Sequence, residues 1–282
     1  MKLLLPIAVF LLMVSIGMGL RPAEFVRNLR KLMQNGAWLR LIVATFLVPP
    51  AVAMLMLRIT PIDFGEAAGL FLLGVVPGAP LTSRVAAKRG FDMHLAASYQ
   101  VWGALLVPVM IPLVVYSVAK LYERNIWIPP RLLFAQIAEK QFAPLLIGVA
   151  LMYFATGLAK KIQPAITVVG NLLLIVMIVA VLWKMRAALA AITPWVLVGA
   201  IALAVASIGA VLLLVPAEAE TQKTLALCNA NRHIGLALLL AGDFARARNA
   251  VPAIACYALV GPLVMLAYAR IVRRRAAVAA SA

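Results

Sequence analysis

The chain has 282 residues, of which 65% are hydrophobic and 12% charged, and its formal net charge is +17. A soluble domain carries about 25% charged residues, so this composition excludes a soluble globular protein and indicates a polytopic α-helical membrane protein. The positive charge is no sign of a nucleic-acid partner, because the basic residues fall mostly in short connections and at the C-terminus, where membrane topology uses them.

Nine apolar segments follow in chain order, each of a length suited to crossing a ~30 Å hydrocarbon core as a helix. The first covers residues 2–20 and reads as a retained helix rather than a signal peptide. No small-residue cleavage site follows it, and Arg21, Arg27, Arg30 and Lys31 do. The second, 37–57, carries Pro49-Pro50 and is expected to kink there. The third starts near 65, breaks at Pro77 to Pro80 and resumes to about 88. Segments at 92–119 (with Pro108 and Pro112), 132–158, 164–183 and 193–215 come next. The eighth, 220–241, is interrupted near Asn229 to Arg232, and the ninth is 250–271. Nine spans put the termini on opposite sides. Fourteen basic residues then lie on the C-terminal side: Arg21, Arg27, Arg30, Lys31, Arg84, Lys88, Arg89, Lys160, Lys161, Lys223, Arg270, Arg273, Arg274 and Arg275. Nine lie on the other: Lys2, Arg58, Lys120, Arg124, Arg131, Lys184, Arg186, Arg246 and Arg248. The bias predicts the N-terminus outside and the C-terminus in the cytoplasm. No connection is long enough for a second domain, so 1–282 reads as one transmembrane domain in the lipid bilayer, of a bacterial inner-membrane kind.

Two of these segments carry the polar chemistry. Residues 229–233 place Asn229, Asn231, Arg232 and His233 inside an apolar run. Lipid cannot satisfy such groups, so they face protein or a water-filled cavity. The other interruption, Gly74 to Arg84, holds Pro77, Gly78 and Pro80 and brings Thr82, Ser83 and Arg84 behind it. Broken apolar segments at corresponding places in two halves of a chain point to the binding site of a secondary transporter. Cys228 and Cys256 both lie in apolar segments without metal-ligand spacing, so neither a disulfide framework nor a metal site is expected, and no cofactor is called for. No HExxH, GxSxG or intramembrane carboxylate pair suggests an enzyme.

The order and spacing of several stretches resemble the bile acid:sodium symporter family along nearly the whole chain. They are Ile16 to Phe25, Gly74 to Gly78, the pair Pro108 and Pro112, and Gln222-Lys223-Thr224-Leu225 followed by Gly235-Leu236-Ala237. The resemblance implies inverted repeats, a core domain (37–119 and 193–272) in which two broken helices cross, and a panel domain (2–20 and 132–183). It also implies sodium sites at the crossing, and there the chain departs from the family. The Ser and Asn of the first break are Thr82 and Ser83. The Ser and Thr of the next helix are Ala96 and Gln100. In the second break, Cys228 stands for the shared Glu, followed by Asn229 and Asn231, with Arg232 for a Gln; a further Gln is Thr45.

Replacing a Glu and introducing an Arg changes the local charge by +2. A guanidinium about 4 Å from a sodium ion would oppose it by ~4 kcal/mol at an effective dielectric of ~20. The expectation is a carrier of a small organic anion, uncoupled from sodium at the family's usual sites, in which Arg232 stands where sodium would and meets the substrate's acidic group. A sodium symporter with rearranged sites, a passive channel and a non-transporting sensor are the alternatives. The expected substrate contacts are Arg232, Asn229, Asn231, Thr82, Ser83, Gln100, His233 and Arg84. Arg232 has a second reading, in which it ties down carbonyls freed at the break. His233 could relay protons or sit satisfied in the core, and Arg84, about 9 Å of helix rise from the cytoplasmic end, could simply reach the interface.

Overall fold

The computed structural model describes residues 4–19, 22–34, 36–79, 81–122, 131, 135, 138–184, 186, 193–243 and 250–281. Pro80 of the first break, the basic residues Lys2, Arg21, Arg124, Arg246 and Arg248, and the start of the fifth expected segment at 132–134 lie outside them. Every described element is a helix. They are α1 (Leu4–Met18), α2 (Pro22–Gln34), α3 (Ala37–Ile59), α4 (Phe64–Val75), α5 (Thr82–Lys88), α6 (Met93–Tyr122), a π-helical turn (Ala138–Phe142) leading into α7 (Ala143–Phe154), α8 (Thr156–Lys184), α9 (Pro194–Leu214), α10 (Ala219–Ala230), α11 (Ile234–Asp243) and α12 (Val251–Ser281). Five stretches are long and apolar enough to cross a membrane: Ala37–Ile59, Met93–Ser117, Thr156–Val181, Pro194–Leu214 and Val251–Ala276. The chain is therefore an integral, polytopic membrane protein, all-helical among the described residues.

Several boundaries differ from the sequence expectation, each for a local reason. The stretch after α1, read as a cytoplasmic loop, is the helix α2, bent from α1 by 85°. Pro22 stands at its first position, where a missing N–H costs nothing. Phe25 and Leu29, one turn apart, turn one side of it onto the main core. The sixth segment begins at Thr156, eight residues ahead of the expected Pro164, because Ala155 alone interrupts the helical path (φ −137°) and Pro164 is absorbed inside α8.

Pro49-Pro50 does not act as a simple kink. The turn before it, Val43–Leu47, is a π-helix. Proline has no N–H. In the i→i+5 pattern of a π-helix the carbonyls of Ala44 and Thr45 would pair with residues 49 and 50 and find no donor; in an α-helix Thr45 would meet Pro49 and again find none. Two carbonyls in mid-span are thus left open. α4 starts with a cap in which the Asp63 carboxylate accepts from the Gly65 N–H at 3.0 Å and the Asp63 N–H donates to Glu66 Oε2 at 3.2 Å. It packs so closely on α3 that a Cβ built on Gly74 would lie 2.7 Å from the Pro50 nitrogen.

The helices form two groups. α1, α7 and α8 pack on one another through their own small clusters, Ala8, Leu12 and Leu174 in one and Val14, Met18 and Ala159 in the other. The α1–α7 crossing is close because Gly17 and Gly148 face each other; a Cβ on either would lie 2.1 Å from a backbone oxygen of the other helix. Small residues at such contacts are how membrane helices approach without a hydrophobic driving force between them. The larger group, α3 to α6 and α9 to α12, shares one continuous core.

Candidate functional site

The two interruptions meet inside the larger group. α4 unwinds after Val75, and Gly78 takes a positive φ of +73°, which turns the chain toward α5. α10 unwinds after Ala230, and the chain re-enters a helix at Ile234. The unwound strands bond to each other: the His233 N–H donates to the Val76 carbonyl at 3.0 Å and the Ala79 N–H to the Asn231 carbonyl at 3.1 Å. Side chains extend the joint. Asn231 Nδ2 donates to Thr82 Oγ1 at 3.0 Å, and that hydroxyl donates to the Ala79 carbonyl at 2.6 Å. Gln100 on α6 clamps the same turn, accepting from the Ser83 N–H at 3.0 Å and donating to the Ala79 carbonyl at 3.0 Å. His233 Nδ1 accepts from the Leu236 N–H and so caps α11. Tyr257 on α12 donates to the Ala230 carbonyl at 2.6 Å, which meets one of the open C-terminal carbonyls of α10.

Arg232 lies at the centre of this crossing and is 1% exposed. Its Nη1 donates to the carbonyls of Thr45 and Gly74, both at 3.1 Å. Its Nη2 donates to Ser207 Oγ at 3.0 Å and Asn229 Oδ1 at 3.2 Å. The origin of each acceptor is readable. Thr45 is open because of the prolines, Gly74 is a terminal carbonyl of α4, and Ser207 comes from the middle of α9. Asn229 is fixed in turn, donating to the open Ala44 carbonyl at 3.0 Å and the Ser207 carbonyl at 2.7 Å while accepting from the Tyr99 hydroxyl at 2.9 Å. A charged side chain at mid-span costs about 3 kcal/mol on insertion scales. A hydrogen bond to a charged group contributes about 1.5–3 kcal/mol, so two of the four bonds already offset that cost. None of the four oxygens belongs to a carboxylate. The charge is met by carbonyl and hydroxyl dipoles alone, the same hard oxygen chemistry that an alkali cation takes.

Of the other expected sodium positions, Thr82 and Gln100 are committed to the joint described above. Ala96 and Cys228 are buried and bring no oxygen side chain to it. Thr45 contributes its carbonyl; its hydroxyl lies 3.5 Å from that of Tyr99.

Beside the crossing, between the two helix groups, is a cavity of about 730 Å³. Ser83, Arg84 and Gln100 line it from the core side with His94 and Ser98. Ser15, Lys160, Gln163 and Thr167 line it from α1 and α8, and Glu24 from α2. The expected substrate contacts therefore divide. Ser83, Arg84 and Gln100 reach the cavity. Thr82, Asn229, Asn231, Arg232 and His233 lie in the packed crossing and do not line it. The polar residues that α1 and α8 bring to the cavity carry no signal in the sequence. Lys160 looked like a loop cation, and Ser15, Gln163 and Thr167 are scattered polar residues in apolar runs; the three are linked, Ser15 bonding Thr167 through their hydroxyls and Gln163 donating to the Ser15 carbonyl at 3.1 Å. Across the mouth, His94 Nδ1 lies 3.0 Å from Glu24 Oε2.

Two broken apolar helices joined at their unwound turns, beside a polar cavity between two helix groups, describe a membrane transporter. The chain belongs to the sodium bile acid symporter family, whose model matches residues 6–192. The match contains the first break and ends ahead of the second, where Cys228 and Arg232 stand. No curated protein matches the chain. At the level of the family, the protein is a transporter of the bile acid and organic-anion type rather than an enzyme, with a small molecule and the bilayer as its partners.

Proposed function

We propose that the chain carries a small organic anion by alternating access, without coupling to sodium at the family's usual positions. One observation carries the reading: the Arg232 guanidinium fills an oxygen cage built from both breaks, α3 and α9. In this proposal Arg232 is a resident cation that keeps the crossing assembled in every state, so clamping open carbonyls and standing in for sodium are one role. Substrate contact passes to Ser83, Arg84 and Gln100, which line the cavity.

The rest of the family architecture is part of the same proposal. The five long spans, together with α1, α7 and the two broken pairs α4–α5 and α10–α11, give nine. α1, α7 and α8 form the panel, and the remaining spans form the core. Inverted repeats relate the two broken pairs. The N-terminus lies outside and the C-terminus in the cytoplasm of a bacterial inner membrane, so the cavity faces inward.

Uptake into proteoliposomes tests the reading, with cholate and smaller carboxylates as probes. A carrier gives saturable, trans-stimulated uptake that is unchanged when potassium replaces sodium. Non-saturating flux would make it a channel, and a sodium requirement would make it a symporter with rearranged sites.

A further inference from the structure

The cavity carries one cation from each helix group. Arg84 projects from α5, behind the first break, and Lys160 from α8 in the opposite helix group. Both are exposed. Among the described residues neither makes a hydrogen bond or an ion pair, whereas the Glu24 carboxylate that also lines the cavity is held by His94 at 3.0 Å. The cavity thus holds two cations with no ion-pair partner among the described residues and one carboxylate engaged by His94, and low-dielectric walls strengthen the field of such charges. Here the apolar walls are Leu12, Ile16 and Phe25 on one side and Val101 and Met152 on others.

We propose that Arg84 and Lys160 form a two-domain clasp for the acidic group of an amphipathic organic anion, and that their repulsion in the empty cavity makes this carrier an anion exchanger. The inference rests on the organic-anion carrier reading and adds the source of its coupling. Alternating access brings the two helix groups together over the cavity. In the empty protein that movement drives two like charges toward each other. With an anion between them the charges are bridged and closure is favoured. The loaded carrier therefore crosses readily in both directions and the empty one does not, so net transport requires a counter-anion. Where the family's sodium would gate return of the carrier, charge on the cavity walls does so here. A substrate of this kind has one acidic group, to sit between the two cations, and an apolar body, to lie along Leu12, Ile16 and Phe25.

The test needs neither substrate nor sodium. Val9 is fully buried in α1, ahead of the α1 residues that line the cavity, and packs toward Gly235 of α11. A cysteine there, with Cys228 and Cys256 replaced by Ala, is reached by a water-soluble maleimide only when the protein opens on the far side. The purified, ligand-free protein in potassium buffer should label slowly. Lys160→Gln and Arg84→Gln should each raise the rate roughly three- to tenfold, the effect of removing one of two like charges from a wet cleft. Lys160→Glu should raise it further, and Lys160→Arg should leave it unchanged. Raising salt from about 0.01 M to about 1 M shortens the screening length from ~30 Å to ~3 Å; it should speed labelling of the parent and leave Lys160→Gln unaffected. Equal rates in the parent, Lys160→Gln, Arg84→Gln and Lys160→Glu would overturn the clasp, while leaving sodium independence, which this assay does not involve, standing.

Discussion

The Arg232 guanidinium donates to the Thr45 carbonyl at 3.1 Å, an oxygen left open because Pro49 and Pro50 carry no N–H. A proline pair in one segment and an arginine almost two hundred positions later are thus two halves of one interaction. Separately each breaks a rule of membrane helices. Together they satisfy each other.

That pairing makes Arg232 a keystone of the crossing. Arg232→Leu would leave the Thr45 and Gly74 carbonyls without a donor, while Asn229 Oδ1 keeps the Tyr99 hydroxyl, at about 1–3 kcal/mol for each group left unsatisfied. We expect a loss of at least ~2 kcal/mol, seen as a large drop in melting temperature or loss of the monodisperse peak. Arg232→Lys keeps the charge but cannot reach all four oxygens with one ammonium, and should fall between. Melting temperatures of the two purified variants check the order; a parental value for Arg232→Leu would contradict it.

Gly74 and Gly209 make a matched pair. A Cβ on Gly74 meets the Pro50 backbone nitrogen at 2.7 Å, whereas one on Gly209 meets nothing within 4 Å. Gly74→Ala should push α4 from α3, carry its carbonyl away from Arg232 and cost about 1–3 kcal/mol. Gly209 is half-buried toward the end of α9 with open space where a Cβ would go, so Gly209→Ala should be neutral or stabilise by up to ~1 kcal/mol. Thermal melts of both in the same detergent read the difference directly.

The charge bias predicts orientation. Arg27 in α2 and Arg274 near the end of α12 are exposed, as is Arg58 at the end of α3. Cysteines at 27 and 274 should react with an impermeant maleimide only after cells are opened, and one at 58 should react in intact cells. Labelling of 27 and 274 from outside would reverse the topology.

Much of this was legible in the sequence because membrane constraints are severe. An arginine and two asparagines in an apolar run had to be met by protein, and the prolines and glycines of 74–80 had to break a helix. The partner of Arg232 was not legible, because a freed backbone carbonyl leaves no mark beyond the proline four or five residues later; Pro49-Pro50 was read as a kink rather than as a pair of acceptors. α2 is not legible as a helix, since its apolar residues Phe25 and Leu29 stand among basic ones. Lys160 gave no signal at all, because its place on the cavity depends on how α8 packs against α1.

The central claim is that Arg232 occupies the place of the coupling cation, and a sodium titration of melting temperature tests it most directly. A ligand that binds only the folded state at a hundred times its dissociation constant stabilises by about 2.7 kcal/mol. At constant ionic strength with potassium as the balancing ion, the parent protein should show no sodium-dependent rise. The double variant Cys228→Glu with Arg232→Gln, which restores a carboxylate and empties the cage, should acquire one. A saturable rise in the parent protein would contradict the account, because a sodium ion would then be bound in spite of the guanidinium.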